Sequence, residues 1–250
     1  MFYGIPDNRQ KEFQQAIATL EDIYRGQFYF NDMLITMCRN LSFRHDQKFI
    51  SCFYDAVTNK QEHSLIWRLH TLTWAAKNAL NTEGDFVECG VFKGFCSGVI
   101  LSYLDFHALP RKAFLYDTFE GLPEKTSTPE ERRGWNYSDY DPEAIYSGVC
   151  KKFARYENVN IVRGIVPDSF EQAVPEKIAF LHIDMNSVKA EMLALEHLFD
   201  KVTPGGFIVF DDFGWTTNVN QMKAELAFMD ERGHNVLELP TGQGVVIKHA

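Results

Sequence analysis

The chain has 250 residues, 45% hydrophobic and 14% aromatic, enough to bury the core of one large α/β domain and too apolar for a disordered chain. Its 34 acidic and 25 basic residues give a formal charge of −9, which argues against gripping nucleic acid or an anionic membrane. No apolar run has bilayer length, residues 1–15 lack the apolar middle of a secretory signal, and five cysteines without a CxxC pair read as reduced thiols, so a cytoplasmic location is expected.

The first third reads as helical. Residues 11–24 place Phe13, Ile17, Leu20 and Tyr24 on one stripe, and residues 63–80 do the same with Leu65, Ile66, Leu69, Leu72 and Ala76. Between them, residues 50–57 read as a further helix. Trp67 and Trp74, seven apart, read as packing, and His63 as a helix-surface residue. The texture changes near Asn81–Gly84, which sets a helical extension over residues 1–82 against a main domain over residues 83–250. The extension's aromatic stripes suggest a cover for the substrate side of a pocket, or a homodimer contact.

From residue 85 short apolar runs alternate with helical segments. Residues 85–88, 113–116, 159–162, 178–183 and 207–210 read as five strands, with helices expected over 94–106 and 187–199. This spacing implies βαβ units and a parallel sheet. Residues 236–239 and 245–247, joined by a turn at 241–244, read as a closing hairpin. An α/β sheet with an antiparallel last strand resembles the Rossmann-like sheet of class I methyltransferases.

Ligands of open parallel sheets bind beyond the carboxyl ends of the strands, so the residues ending each strand carry the chemistry. The first strand ends in Glu88, before Cys89-Gly90-Val91-Phe92-Lys93-Gly94; the second leads into Asp117. The G-x-G-x-x-G phosphate loop of dinucleotide folds is missing, and Glu88 would repel a pyrophosphate. Two acidic strand ends suit the cationic methyl donor S-adenosylmethionine, with Asp117 placed for its ribose hydroxyls. The fourth strand leads into Asp184 and the fifth into Asp211-Asp212. With adjacent strands about 4.8 Å apart, three carboxylates converge and call for a hard cation such as Mg2+. His182, inside the fourth strand, reads as core.

With those residues in place, the chain resembles the macrocin O-methyltransferase family over residues 84–248. The resemblance rests on Gly84-Asp85-Phe86-Val87-Glu88-Cys89-Gly90-Val91, Tyr116-Asp117-Thr118-Phe119-Glu120-Gly121-Leu122-Pro123 and Leu181-His182-Ile183-Asp184, then Leu193-Ala194-Leu195-Glu196, Pro204-Gly205-Gly206 and Asp211-Asp212. It implies Mg2+-dependent methyl transfer to a hydroxyl of a small molecule. Carried over, Glu88, Cys89, Gly90, Val91, Phe92, Asp117, Thr118, Phe119 and Gly121 contact the cofactor, and Gly164 and Ile165 border its adenine. Asp184, Asp211 and Asp212 hold the metal, with Asp184 also taking the substrate proton. The chain departs from the family after Asp184, where a second acid and an aromatic usually follow and Met185-Asn186-Ser187-Val188 stands instead.

The segment over residues 124–140, with Trp135, Tyr137 and Tyr140, is long for a connection and reads as a lid. Two rival readings are a methyltransferase fold that binds its cofactor without catalysis, and a nicotinamide-dependent oxidoreductase, the latter disfavoured by the missing phosphate loop.

Overall fold

The computed structural model describes residues 5–133 and 140–250, so Trp135 and Tyr137 of the expected lid lie outside the described residues. The chain divides into two compact units between His70 and Thr71.

The first unit is not helical throughout. Helix α1 (Gln10–Tyr24) leads into an antiparallel hairpin, β1 (Phe28–Asn31) and β2 (Leu34–Met37), followed by α2 (Gln47–Ala56), α3 (Lys60–Ser64) and the start of α4 (Ile66–Ala79). The sequence does not announce this hairpin, because its two-residue turn lacks the glycine that a turn of two left-handed residues favours. Asp32 and Met33 hold φ of 50° and 60° there, and Arg68 fixes the turn by pairing with Asp32 at 2.8 Å. Helix α2 begins at Gln47, ahead of the expected residue 50, because the Asp46 carboxylate caps it by accepting from the Phe49 N–H. Tyr29, Phe43 and Trp67 pack edge-on or tilted around a shared aromatic core, with ring centroids 5.2–5.5 Å apart.

The second unit is built on a seven-stranded sheet. Its strands are β3 (Asp85–Cys89), β4 (Ala113–Asp117), β5 (Val159–Arg163), β6 (Ile178–Ile183), β7 (Val202–Phe210), β8 (Leu237–Glu238) and β9 (Gly244–Ile247). The spatial order is β5-β4-β3-β6-β7-β9-β8, parallel up to β7, with β9 antiparallel to it. This is the class I methyltransferase sheet. Strand β7 starts five residues earlier than expected: Pro204-Gly205-Gly206 reads as a turn, yet it sits in the strand where the register with β6 shifts between Ile178 and Phe180.

Helices α5 (Phe95–Tyr103), α6 (Pro129–Arg133), α7 (Pro142–Phe153), α8 (Val188–Leu198) and α9 (Val219–Asp230) complete the unit. Side chains alternate across the strands. Val87, Cys89, Leu181, Ile183, Ile208 and Phe210 join one core with Ala194, Leu195, Leu198, Phe228 and Met229 of α8 and α9. On the opposite face Phe86 packs against Phe106 and Phe180, and Trp74 against Phe207.

Strand order reverses between β3 and β6, the position where open α/β sheets bind ligands. At this point the loop leaving β3 crosses the chain leaving β6. The Asp184 N–H donates to the Cys89 carbonyl at 2.8 Å, and a Cβ on Gly90 would lie 1.8 Å from the Asp184 carbonyl oxygen. Gly90 also holds φ +93°. Any side chain there collides with backbone, which cannot rotate away. Gly90→Ala is therefore expected to cost roughly 3 kcal/mol or more in denaturant unfolding, the upper range of overpacking; wild-type stability in that variant would show that the crossing is looser than described.

Candidate active site

A cleft opens at the carboxyl ends of β3, β4, β5 and β6. Of the residues singled out from sequence, Gly90, Phe92, Asp117, Thr118, Gly121, Gly164, Ile165 and Asp184 line it, and Glu88, Cys89, Val91, Phe119, Asp211 and Asp212 do not. The loops that form and back the cleft wall are made of turned backbone. Phe92, Phe119 and Asn186 hold φ of 49°, 58° and 55°, and Gly90, Gly121 and Gly164 are also left-handed. Non-glycine residues in this region store strain that the surroundings must enforce.

Asp117 does much of that enforcing. Its Oδ2 accepts from the Val91 and Phe92 N–H groups, each at 2.7 Å, and its Oδ1 from the Phe119 N–H at 2.6 Å. The Gly164 N–H donates to its carbonyl at 2.9 Å. One carboxylate thus ties the loop after β3 to the loop after β4. Val91 and Phe119 serve through their backbones while their side chains are buried, and Cys89 lies in the core below.

Glu88 faces the other way. Because side chains alternate along β3, it projects with Phe86 toward α5, where it accepts from the Ser97 hydroxyl and contacts His182 Nδ1 at 3.0 Å. His182 is fully buried, and its Nε2 lies 3.6 Å from Asp211 Oδ1, an ion-pair contact too long for a hydrogen bond. Asp211 Oδ1 also accepts from Gln243 Nε2 at 2.9 Å, and Thr241 donates to Gln243 Oε1 at 3.0 Å. A polar chain therefore runs through the sheet from Ser97 to Thr241. Burial alone would lower the His182 pKa, but the Asp211 and Glu88 carboxylates outweigh it and push it up to about 10. His182 belongs to the core, as its strand position implies, but as a cation between two acids. Strand alternation was the available signal: Glu88 and His182 are register partners on neighbouring strands.

His182, Asp184 and Asp211 bring possible ligand atoms within 4.8 Å of one another. The carboxylates of Asp184 and Asp211 are the hard oxygen donors of this group, the kind a cation such as Mg2+ prefers. Burial raises the pKa of two acids on α8 and α9, Glu191 and Glu225, and the charge of Asp212 adds to the rise in both.

The residues that depart from the family pattern have identifiable roles. Asn186 Nδ2 donates to Asp184 Oδ1 at 3.2 Å, and the buried Ser187 hydroxyl donates to the Thr126 carbonyl. Glu131 caps α8 from outside by accepting from the Val188 N–H at 3.0 Å, and Lys189 Nζ reaches the Lys125 carbonyl at 2.8 Å. Lys125 in turn pairs with Asp168 beyond β5. The described part of the expected lid is thus fastened to the start of α8, and Leu122, Pro123 and Thr126 form cleft wall.

The macrocin O-methyltransferase profile matches residues 61–236. This chain belongs to the macrocin O-methyltransferase family. Among its relatives in that family is the mycinamicin III 3''-O-methyltransferase of Micromonospora griseorubida, 29% identical over 161 residues, 58% of this chain and 62% of the relative. A second, from Streptomyces olivaceus, is the 8-demethyl-8-(2,3-dimethoxy-alpha-L-rhamnosyl)-tetracenomycin-C 4'-O-methyltransferase, 27% identical over 157 residues, 58% and 60% of the two chains. The chain spans about three fifths of the length of these relatives. Among solved structures, the O-methyltransferase NovP superposes with a TM-score of 0.62 at 21% identity over 74% of this chain and 81% of its own. The calicheamicin methyltransferase CalS11 gives 0.59 at 15% identity over 97% and 94%. Both share the fold.

The buried histidine makes a prediction. A histidine with a raised folded pKa adds stability that is complete below its ordinary value of 6.5 and lost as pH rises through about 10. His182→Leu, which strands two buried carboxylates, is expected to cost about 3–5 kcal/mol at pH 7 by thermal or urea unfolding, and the cost should shrink toward pH 10. A pH-independent difference would refute the charged assignment.

Proposed function

We propose that the chain transfers the methyl group of S-adenosylmethionine to a hydroxyl oxygen of a sugar or similar natural-product-like molecule, assisted by Mg2+ or a related cation. The observation that carries this reading is the cleft at the strand-order switch, walled by backbone at Gly90 and Gly164 and bearing acids at Asp117 and Asp184. The loop after β3 has no G-x-G-x-x-G phosphate cradle, and the acids that line the cleft suit a ligand with an ammonium and a sulfonium. One relative is named for a rhamnosyl-tetracenomycin C and another for mycinamicin III, which supports the choice of acceptor class.

When bound, S-adenosylmethionine supplies an electrophilic methyl group, and a divalent cation lowers the pKa of a hydroxyl it touches. The protein's own share is positional. Gly90 lets the donor approach the backbone. Asp117 holds the two loops that flank it, and its remaining acceptor capacity suits ribose hydroxyls. Asp184 lines the cleft with Asn186 holding one of its carboxylate oxygens, and in this reading it takes the acceptor's proton. Asp184, Asp211 and Asp212 are the metal ligands in this reading; hard oxygen donors support it. Alignment of acceptor and donor then provides much of the rate.

The test is methyl transfer from labelled S-adenosylmethionine to a panel of glycosides and polyols. Turnover should stop in EDTA, return with Mg2+, and fall roughly 10²–10⁴-fold in Asp184→Asn, the range for a lost general base. Undiminished turnover in chelator would remove the metal from the reading. An unchanged melting temperature with excess S-adenosylhomocysteine would remove the cofactor.

A further inference from the structure

Position 191 interrupts an otherwise apolar stripe. On α8 the buried residues Glu191, Ala194, Leu195 and Leu198 follow helical spacing, and on α9 Gln221, Glu225, Phe228 and Met229 do the same. Each helix thus presents an acid within its core face, and both acids are fully buried. A buried carboxyl group needs partners or must give up its charge. Glu191 has them on one side: its Oε1 accepts from the Met185 N–H at 3.1 Å and the Asn186 N–H at 3.2 Å. Burial, and after it the charge of Glu225, raise its pKa well above the usual carboxylate range.

The two N–H groups belong to the stretch that turns away from β6 beside the cleft. Met185 and Asn186 both line the cleft wall, Asn186 is left-handed at φ +55°, and its side chain holds Asp184 Oδ1. We infer that Glu191 is a positioning residue for the acceptor end of the cleft, fixing the Met185–Asn186 turn and, through Asn186, the orientation of the Asp184 carboxylate. This assignment rests on the reading of Asp184 as the group facing the acceptor. A merely structural role has a different signature, because an apolar side chain of similar size would serve the α8–α9 core at least as well.

The experiment uses the full chain with Glu191→Leu, Glu191→Gln and Glu191→Asp. The Asn186 side-chain amide signal is followed by ¹⁵N NMR, alongside S-adenosylhomocysteine affinity by calorimetry and turnover on the acceptor panel. Glu191→Leu should keep its cofactor affinity within roughly threefold, shift the Asn186 signal toward that of a free amide, and lose roughly 10²-fold in turnover, as misplaced reacting groups do. Glu191→Gln, whose amide oxygen still accepts from both N–H groups, should restore the signal and most of the turnover. If the leucine variant does not fold, Glu191→Asp, which keeps the carboxyl group but shortens its reach, should show the same shift. A wild-type Asn186 signal in the folded leucine or aspartate variant would overturn the inference. A wild type that binds no S-adenosylhomocysteine would instead sink the methyltransferase reading, and the Asn186 signal would still decide the role of Glu191.

Discussion

The second unit turns on a single backbone crossing. Where β3 and β6 end, the peptide after Cys89 passes so close to Asp184 that only glycine fits at position 90. That contact fixes how far the two strand ends can part, and the parting is the cleft. Asp117 works from one side, drawing the loop after β3 onto the end of β4. Glu191 works from the other, holding the turn that leaves β6. Phe92, Phe119 and Asn186 are left-handed here because three loops must turn sharply within a few residues of this point.

Beneath the crossing lies the second constraint, a charged group in the sheet interior. Glu88 and Asp211 are both buried, and either alone would be costly. His182 between them supplies a positive charge, and Ser97 and Gln243 satisfy further oxygens. The network links β3, β6, β7 and β9, so the antiparallel closing strand is coupled to the strands that carry the cleft. One of its ends, Asp211, is also a candidate cation ligand. In this account the charge of His182 is part of the electrostatic setting of that site, beside the carboxylates that sequence alone brings to mind.

Most of the architecture was legible because parallel strands buried on both faces read as short apolar runs, and because strand ends in such sheets collect function. Gly90, Asp117, Gly164 and Asp184 were found that way, and all line the cleft. Glu88 illustrates the limit: its place at a strand end was plain, but side-chain parity sends it toward α5. Asp117 was read for its ribose contact, and nothing local in the sequence reveals that its oxygens already hold three backbone N–H groups. The hairpin at Phe28–Met37 was hidden by a turn without glycine, stabilised instead by Arg68 thirty-six residues away. Glu191 and Glu225 look like ordinary helix-surface acids until the helices are packed. Each of these depends on a long-range partner, which periodicity cannot encode.

The central claim is that the cleft at the β3–β6 switch is the methyl-donor site with its reactive end toward Asp184. A crystal structure with S-adenosylhomocysteine tests it most directly. The account predicts adenine beside Gly164 and Ile165, ribose at Asp117, and the thioether sulfur on the Asp184 side of Gly90. Density for the nucleoside anywhere else, or a sulfur turned away from Asp184, would contradict it.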